Sequence, residues 1–370
     1  MTSPSDNRTE QRNAIALSCL HGITYTGTRQ LLNHYGSFTA VMEAKEEIND
    51  RLRDKDLQWE QAICRANEEM DRCEKEGIEV LPLGSETYPT RLSECEDAPL
   101  ALFKLGRANV NAKRVIAVVG TRRISEYGRL LCQKFLLDLK SMVPDCLVVS
   151  GLAYGVDICS HRAALEVSLP TVGILAHGLD RIYPAVHRDA AAQMVREGGG
   201  LLTEYITGTR PDKGNFVRRN RIIAGMSDAT IVVESAHRGG SLITARLAQD
   251  YNRDVFAFPG RVFDQYSEGC NRLIRDNCAA LITSAQDFAD AMKWTTDKQV
   301  PKTVQRELFP ELTPLQQSIC DALKPTEGLT LNQICIATNA PVGEASSAIF
   351  DMEMVGVIKQ LTGGKYIVMP

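Results

Sequence analysis

The residues best equipped for chemistry in this 370-residue chain are cations and glycines rather than nucleophiles. Between Arg210 and Arg221 the cations Arg210, Lys213, Arg218, Arg219 and Arg221 face a single acid, Asp212. A solvated surface run would intersperse both signs, so a cluster this dense is an electrostatic footprint for phosphate. Three other stretches add the backbone an anion needs. Gly120-Thr121-Arg122-Arg123 leads through Ser125 into a helical pattern. Ser150-Gly151 through Gly155-Val156-Asp157 leads into a second, and Arg238-Gly239-Gly240-Ser241 into a third. Glycine lets a backbone approach an anion, and a helix N-terminus offers unpaired N–H groups and the positive end of its dipole. Arginine adds a two-pronged fork for phosphate oxygens. Phe216, flanked by the cations, is either a platform for an unpaired base or a core ring anchoring the loop.

These stretches follow apolar, β-branched runs. Val115–Val119, Leu147–Val149, Thr171–Leu175, Thr230–Val233 and Val255–Phe258 read as strands, with Leu201–Thr203 and Ala280–Ile282 as weaker candidates. Helical patterns such as EYGRLLCQKFLLDLKSM and SLITARLAQDY lie between them. Short runs apolar on both sides, separated by helices, predict a parallel sheet covered on both faces, here a doubly wound α/β domain over 111–294. Ligands in such folds bind beyond the carboxyl ends of the strands. The loops named above therefore share one rim and make a phosphate-tracking groove, whose expected ligand is single-stranded DNA.

Charge and composition narrow the function classes. The net charge is −4, but residues 111–294 carry +4 against −6 for 1–110 and −2 for 295–370. Only the middle segment leans basic. Hydrophobic residues make up 44% and charged residues 24%, as in ordinary globular proteins, and the length suits about two or three domains. The first residues, MTSPSDNRTE, are polar and no run of about eighteen apolar residues occurs, so the expectation is a cytoplasmic protein with no membrane partner. The 11 cysteines form no CxxC pair and sit mostly in apolar stretches, where a thiol acts as a small hydrophobe.

Rival chemistries lack their residues. There is no GxxxxGK[ST] for ATP and no GxGxxG after the first strand. Asp157 and His161 share a helix face and could pair as metal ligands or as acid and base, but with no third ligand nearby an internal hydrogen bond is expected. His177 and His187 also lack partners. No nucleophile–base pair is visible, so no catalytic residue, metal or cofactor is expected.

Beyond the central segment, residues 1–76 read as a helical domain, with LHGITYTGTRQLLNHYG loosely like a helix-hairpin-helix or SAM module. Residues 77–110 read as a strand-rich connector and 295–312 as a polar linker. Residues 313–370 read as three helices and a hairpin, the winged-helix order, beginning at Thr313-Pro314 and turning at Gly363-Gly364. The third helix carries Glu344, Asp351 and Glu353 without Lys or Arg, which favours a protein contact over base readout.

The ordered series VVGTRRISEYG, VVSGLAYGVDICSH, GILAHGLDRIYP, LLTEY, NFVRRNRIIAGMSDATIVVES, GGSLITARLA, VFAFPG and GCNRLI resembles the DNA-processing protein A family (DprA, also called Smf). The resemblance implies an extended Rossmann-like core with a helical N-terminal domain and a C-terminal winged helix. It implies a non-enzymatic, homodimeric single-stranded-DNA-binding protein that protects incoming DNA in natural transformation and loads the RecA recombinase onto it. The DNA-binding residues it implies are Gly120, Thr121, Arg122, Lys213, Phe216, Arg219, Asn220, Arg221, Gly239, Gly240 and Ser241. Thr121, Tyr154, Val217, Gly239 and Cys270 depart from the family's usual serine, arginine, proline, serine and threonine. The alternative is a Rossmann-like nucleotide phosphoribohydrolase with a PGGxGTxxE motif. Aligned on Gly239-Gly240, that motif meets Leu242, Ile243 and Arg246 in place of its Gly, Thr and Glu.

Overall fold

The computed structural model describes residues 4–53, 55–294, 312–324, 328–354, 357–361 and 364–368. The expected linker lies outside these residues except for Leu312, as does Gly363 of the expected turn. The chain divides into two compact units, Met1–Thr296 and Asp297–Pro370.

The first unit opens with α1 (Pro4–Ser18), α2 (Tyr25–Tyr35), α3 (Phe38–Glu43), α4 (Lys45–Arg51) and α5 (Trp59–Glu76). Side chains start these helices where the backbone lacks partners: Thr24 accepts the Gly27 N–H and Ser37 the Ala40 N–H. Gly36, at φ 84°, closes α2 in the left-handed conformation that glycine adopts without strain. The apolar faces of α1 and α5 bury Ile15, Leu17, Trp59 and Met70 with Val80 and Phe103 of the strands that follow. Those strands are β1 (Glu79–Pro82) and, after the short α6 (Thr90–Ser93), β2 (Ala101–Gly106). Polar bonds pin the helices down as well. Glu69 accepts the backbone N–H and the hydroxyl of Thr207, and Arg29 donates to the carbonyls of Ser93 and Cys95.

From residue 114 strands and helices alternate: β3 (Arg114–Val119), α7 (Glu126–Met142), β4 (Cys146–Ser150), α8 (Val156–Glu166), β5 (Thr171–Ile174), α9 (Arg188–Arg196), β6 (Gly200–Thr203), α10 (Lys213–Gly225), β7 (Ala229–Val232), α11 (Gly240–Asp250), β8 (Asp254–Ala257), α12 (Glu268–Arg275), β9 (Ala280–Leu281) and α13 (Ala285–Ala291). The sheet order is β1-β2-β6-β5-β4-β3-β7-β8-β9. Strands β3 to β9 pair in parallel, while β2 joins β6, and β1 joins β2, antiparallel. Residues 77–110 thus extend the sheet. Strand β3 shows why the run had to be apolar throughout. Its Val115, Ala117 and Val119 pack on one face with Ile222 and Ala245, and its Ile116 and Val118 on the other with Phe135 and Leu136. The doubly wound reading holds. From β3 the chain winds outward through β4, β5 and β6, then returns to place β7 on the other side of β3, with Val119 opposite Val232. Open parallel sheets bind ligands beyond such a reversal.

The second unit contains α14 (Pro314–Leu323), β10 (Leu329–Thr330), α15 (Leu331–Thr338), α16 (Val342–Met354), β11 (Ile358–Leu361) and β12 (Lys365–Val368). Thr313 caps α14 reciprocally with Gln316, with Pro314 inside the first turn. Strands β10, β12 and β11 form a small antiparallel sheet, and Ile319, Ile334, Ile349 and Met352 share its core. This is a winged-helix arrangement. Among the described residues, no helix is long and apolar enough to cross a membrane.

Candidate nucleic-acid interface

The loops after β3 and β7 meet where the strand order reverses. Thr121 N–H donates to the Glu234 carbonyl at 2.7 Å, and the Thr121 carbonyl accepts Val156 N–H at 3.1 Å, so the two loops and the start of α8 are tied together. Gly120 serves this packing: a Cβ there would stand 2.4 Å from Val156 Cγ2 and 2.8 Å from the Glu234 carbonyl oxygen. Gly239 and Gly240 differ. Both are exposed, and a Cβ on either would meet nothing nearer than 3.6 Å and 3.7 Å respectively.

The helix starts around this rim are not equivalent. Ser125 caps α7 on the Gly128 N–H, and the buried Glu234 carboxylate takes the Ser125 N–H at 2.9 Å and its hydroxyl, so an internal anion already occupies that end. Asp212 caps α10 by accepting the Gly214 N–H at 2.7 Å. Helix α11 begins at Gly240 with no side-chain cap, so its N–H groups and dipole face an open cleft. Ser235 and Ser241, hydroxyl to hydroxyl at 2.9 Å, form the wall beneath it.

The cleft has a volume of about 1010 Å³ and is lined by Gly120, Thr121 and Arg122, by Lys213, Phe216, Arg219 and Asn220, and by Gly239, Gly240 and Ser241. Arg122 and Lys213 are exposed there. The half-buried Phe216 ring has the Arg122 guanidinium 5.3 Å from its centroid, Arg219 at 5.9 Å and the tilted Tyr183 ring at 5.8 Å. Phe216 is therefore neither a fully buried core ring nor a free one. It stands in the wall with cations about it.

The cations of the cluster part company on α10. Arg219 is 3% exposed and donates to the carbonyls of Gly151, at 2.6 Å, and Ile174, clamping the loop after β4 to the end of β5 under the cleft. Burial lowers its guanidinium to about 10, and Asp157 pulls the other way. Asn220 reaches Gly240, its amide donating to the carbonyl at 3.4 Å. Arg221 does not join the cleft. It pairs with Glu204 at 2.5 Å, lies 3.8 Å from Asp97 and stacks 5.1 Å over the Tyr25 ring, against the N-terminal helices.

Arg123 and Arg238, which lie in the anion-binding stretches read from the sequence but not among the residues the resemblance implied, also line the cleft, as does Tyr183. Tyr183 follows β5 on the same rim, so the rule that selected the other loops could have reached it. The histidines have other work: His177 Nε2 accepts the Tyr183 N–H at 3.2 Å, and His187 Nδ1 donates to the Leu152 carbonyl at 2.9 Å. Asp157 accepts the Ala153 N–H, while His161 bonds Thr171, so the expected internal bonds exist but go to different partners. Burial raises the Asp157 carboxyl against the pull of Arg219. Among the described residues no group of His, Cys, Asp and Glu could hold a metal ion.

The family model described as DNA recombination-mediator protein A matches residues 79–293, and that of the DprA winged helix domain matches 306–364. The chain is 33% identical to Protein Smf of Escherichia coli (strain K12), over 77% of this chain and 76% of that protein. The fold is similar to that of DNA processing protein A from Streptococcus pneumoniae, with a TM-score of 0.60 at 29% identity over 78% of this chain and 98% of that one. It is also similar to DNA processing protein A from Helicobacter pylori, solved for its single-stranded DNA binding mode, with a TM-score of 0.52 at 29% identity over 58% of this chain and 95% of that one.

Proposed function

This chain belongs to the DNA recombination-mediator protein A family, and from that premise we propose that its cleft binds single-stranded DNA with little sequence preference. The observation that carries the reading is the grouping of exposed Arg122 and Lys213 about a half-buried Phe216, opposite the uncapped start of α11. Cations and helix N–H groups hold phosphates of any sequence, and an aromatic wall stacks on any base whose face is free. A duplex hides those faces. The Helicobacter pylori relative, solved in connection with single-stranded DNA, supports the same ligand.

In this reading the protein is a homodimer in the cytoplasm, protects incoming DNA during natural transformation and loads the RecA recombinase. The family resemblance supports these roles. Two linked clefts on one strand would also multiply a modest affinity by effective concentration. The reading includes no catalysis. The carboxylates lining the cleft, Asp157 and Asp212, are engaged by the Ala153 and Gly214 N–H groups, and the nearby Glu234 holds the start of α7. Each is used to brace a loop or start a helix, which favours a binding role over hydrolysis.

The test is a titration of labelled single- and double-stranded oligonucleotides at matched salt, with nucleoside monophosphates incubated in parallel. Tighter binding of the single strand and intact monophosphates are expected. Equal affinity for duplex, or release of free base, would overturn the reading.

A further inference from the structure

Strand β8 ends on the same rim as the cleft, and the loop from it to α12 lifts an aromatic ring clear of the protein. Phe263 is 102% exposed and its neighbour Val262 81%. The loop beneath them is pinned. Gly260 N–H donates to Asn271 Oδ1 at 3.1 Å and Asn271 Nδ2 to the Gly260 carbonyl at 3.0 Å. Asp264 N–H returns to the Arg261 carbonyl at 3.1 Å, and Ser267 N–H to that of Asp264 at 3.0 Å. The turn therefore closes on itself with Val262 and Phe263 at its tip.

The loop's inner side is part of the cleft. Gln265 and Tyr266 line it, and the Tyr266 carbonyl accepts the N–H of Ser235, the residue whose hydroxyl meets Ser241 at the start of α11. Phe263 precedes Gln265 by two residues, a backbone reach of at most about 7 Å, so the ring stands at the cleft's edge. Single exposed apolar side chains are ordinary. Two adjacent ones on a pinned tip, with exposed Arg261 beside them and a cation-lined cleft behind, form a cationic and aromatic strip continuous with that cleft.

We propose that Arg261 and Phe263 are an outer station of the same track. Phe263 stacks on an unpaired base of the strand as it leaves the cleft, Val262 covers the edge of that base, and Arg261 takes an adjacent phosphate. The inference rests on reading the cleft as a single-stranded-DNA site. It adds a second stacking position outside it. Every base offers a π-face, so the station is sequence-tolerant and lengthens the footprint.

The experiment titrates the full chain, Phe263→Ala and Phe216→Ala with oligothymidylates of graded length, with light scattering on each. A ring this exposed contributes nothing to the core, so Phe263→Ala should melt like the parent. It should bind the shortest oligomers as the parent does and lose about five- to hundredfold on long ones. Phe216→Ala should weaken every length. If the parent protein binds no oligothymidylate, the reading of the cleft fails. If Phe216→Ala is weakened while Phe263→Ala matches the parent at every length, the outer station alone fails. Equal losses on short and long oligomers, or a fall in oligomeric mass for Phe263→Ala, would also overturn it by placing the ring inside the cleft or between copies of the chain.

Discussion

Arg219 and Arg221 lie two residues apart on α10, yet their guanidinium groups leave the helix on opposite sides. Arg219 reaches carbonyls under the cleft, and Arg221 reaches Glu204 and Tyr25 against the N-terminal helices. The cause is helix geometry, since residues two apart are separated by about 200° of turn. One cation cluster in the sequence thus becomes two systems in space, one beneath the cleft and one locking the helical segment to the sheet.

Removing Arg221 should therefore cost stability rather than binding chemistry. Arg221→Ala leaves Glu204, 2% exposed at its side chain, without its cation, a loss of about 3–5 kcal/mol. Urea melts should show it. The double variant Arg221→Met with Glu204→Gln should recover much of the loss, and any variant that stays folded should keep the parent's salt dependence of DNA binding. A parent-like melt for Arg221→Ala would count against the buried pair.

The exposed cations should behave in the opposite way. Arg122→Ala and Lys213→Ala are expected to melt like the parent and to weaken all single-stranded sequences alike, lowering the salt slope by about 0.7 per lost phosphate contact. Phe216→Ala should cost about 1–3 kcal/mol of binding with that slope nearly unchanged. Undiminished binding by folded Arg122→Ala and Lys213→Ala would place the groove elsewhere.

Two glycines from similar-looking loops should separate cleanly. Gly120→Ala forces a methyl group to 2.4 Å from Val156 Cγ2, and overpacking of this kind costs about 1–3 kcal/mol of stability. Gly240→Ala meets only Asn220 Nδ2 at 3.7 Å, so the fold should keep its melting temperature. Its methyl group would stand at the open start of α11, where the ligand's phosphate is proposed to bind, and affinity should fall by about tenfold or more. Tight binding by Gly240→Ala would remove α11 from the site.

Acid should loosen the domain partly through His161. The ring is fully buried, donating from Nδ1 to Thr171 Oγ1, which itself donates to the Val148 carbonyl. Burial first, then the charges of Arg219 and His187, push its pKa down from 6.5 to about 3. The folded state thus prefers the neutral ring. Its contribution is complete above the unfolded value near 6.5 and is lost as pH falls toward 3, by about 1.4 kcal/mol per pH unit. Urea melts across that window should be less steep in pH for His161→Gln. Buried His177, whose pKa is also lowered, leaves some slope behind. An unchanged pH dependence would mean that His161 does not carry the effect.

Much was legible without coordinates. Strands apolar on both sides could only be interior to a parallel sheet, so β3, β4, β5, β7 and β8 were readable from runs such as Val115–Val119. The loops that line the cleft followed from the sheet rule, and Thr313-Pro314 announced α14 because capping chemistry is local. The loops' residue types established phosphate as the ligand class to expect. Tertiary structure decided which members of a motif border the open cleft and which are spent on packing. Gly120 and Gly240 look alike in sequence, but one fills a packing contact between loops and the other borders open space. Arg122 and Arg221 look alike, but one is exposed at a cleft and the other neutralises a buried acid. Local sequence encodes backbone preference and the period of burial. What stands across from a side chain depends on residues far away in the chain, here Glu234 against Ser125, Glu204 against Arg221 and Tyr183 against Phe216.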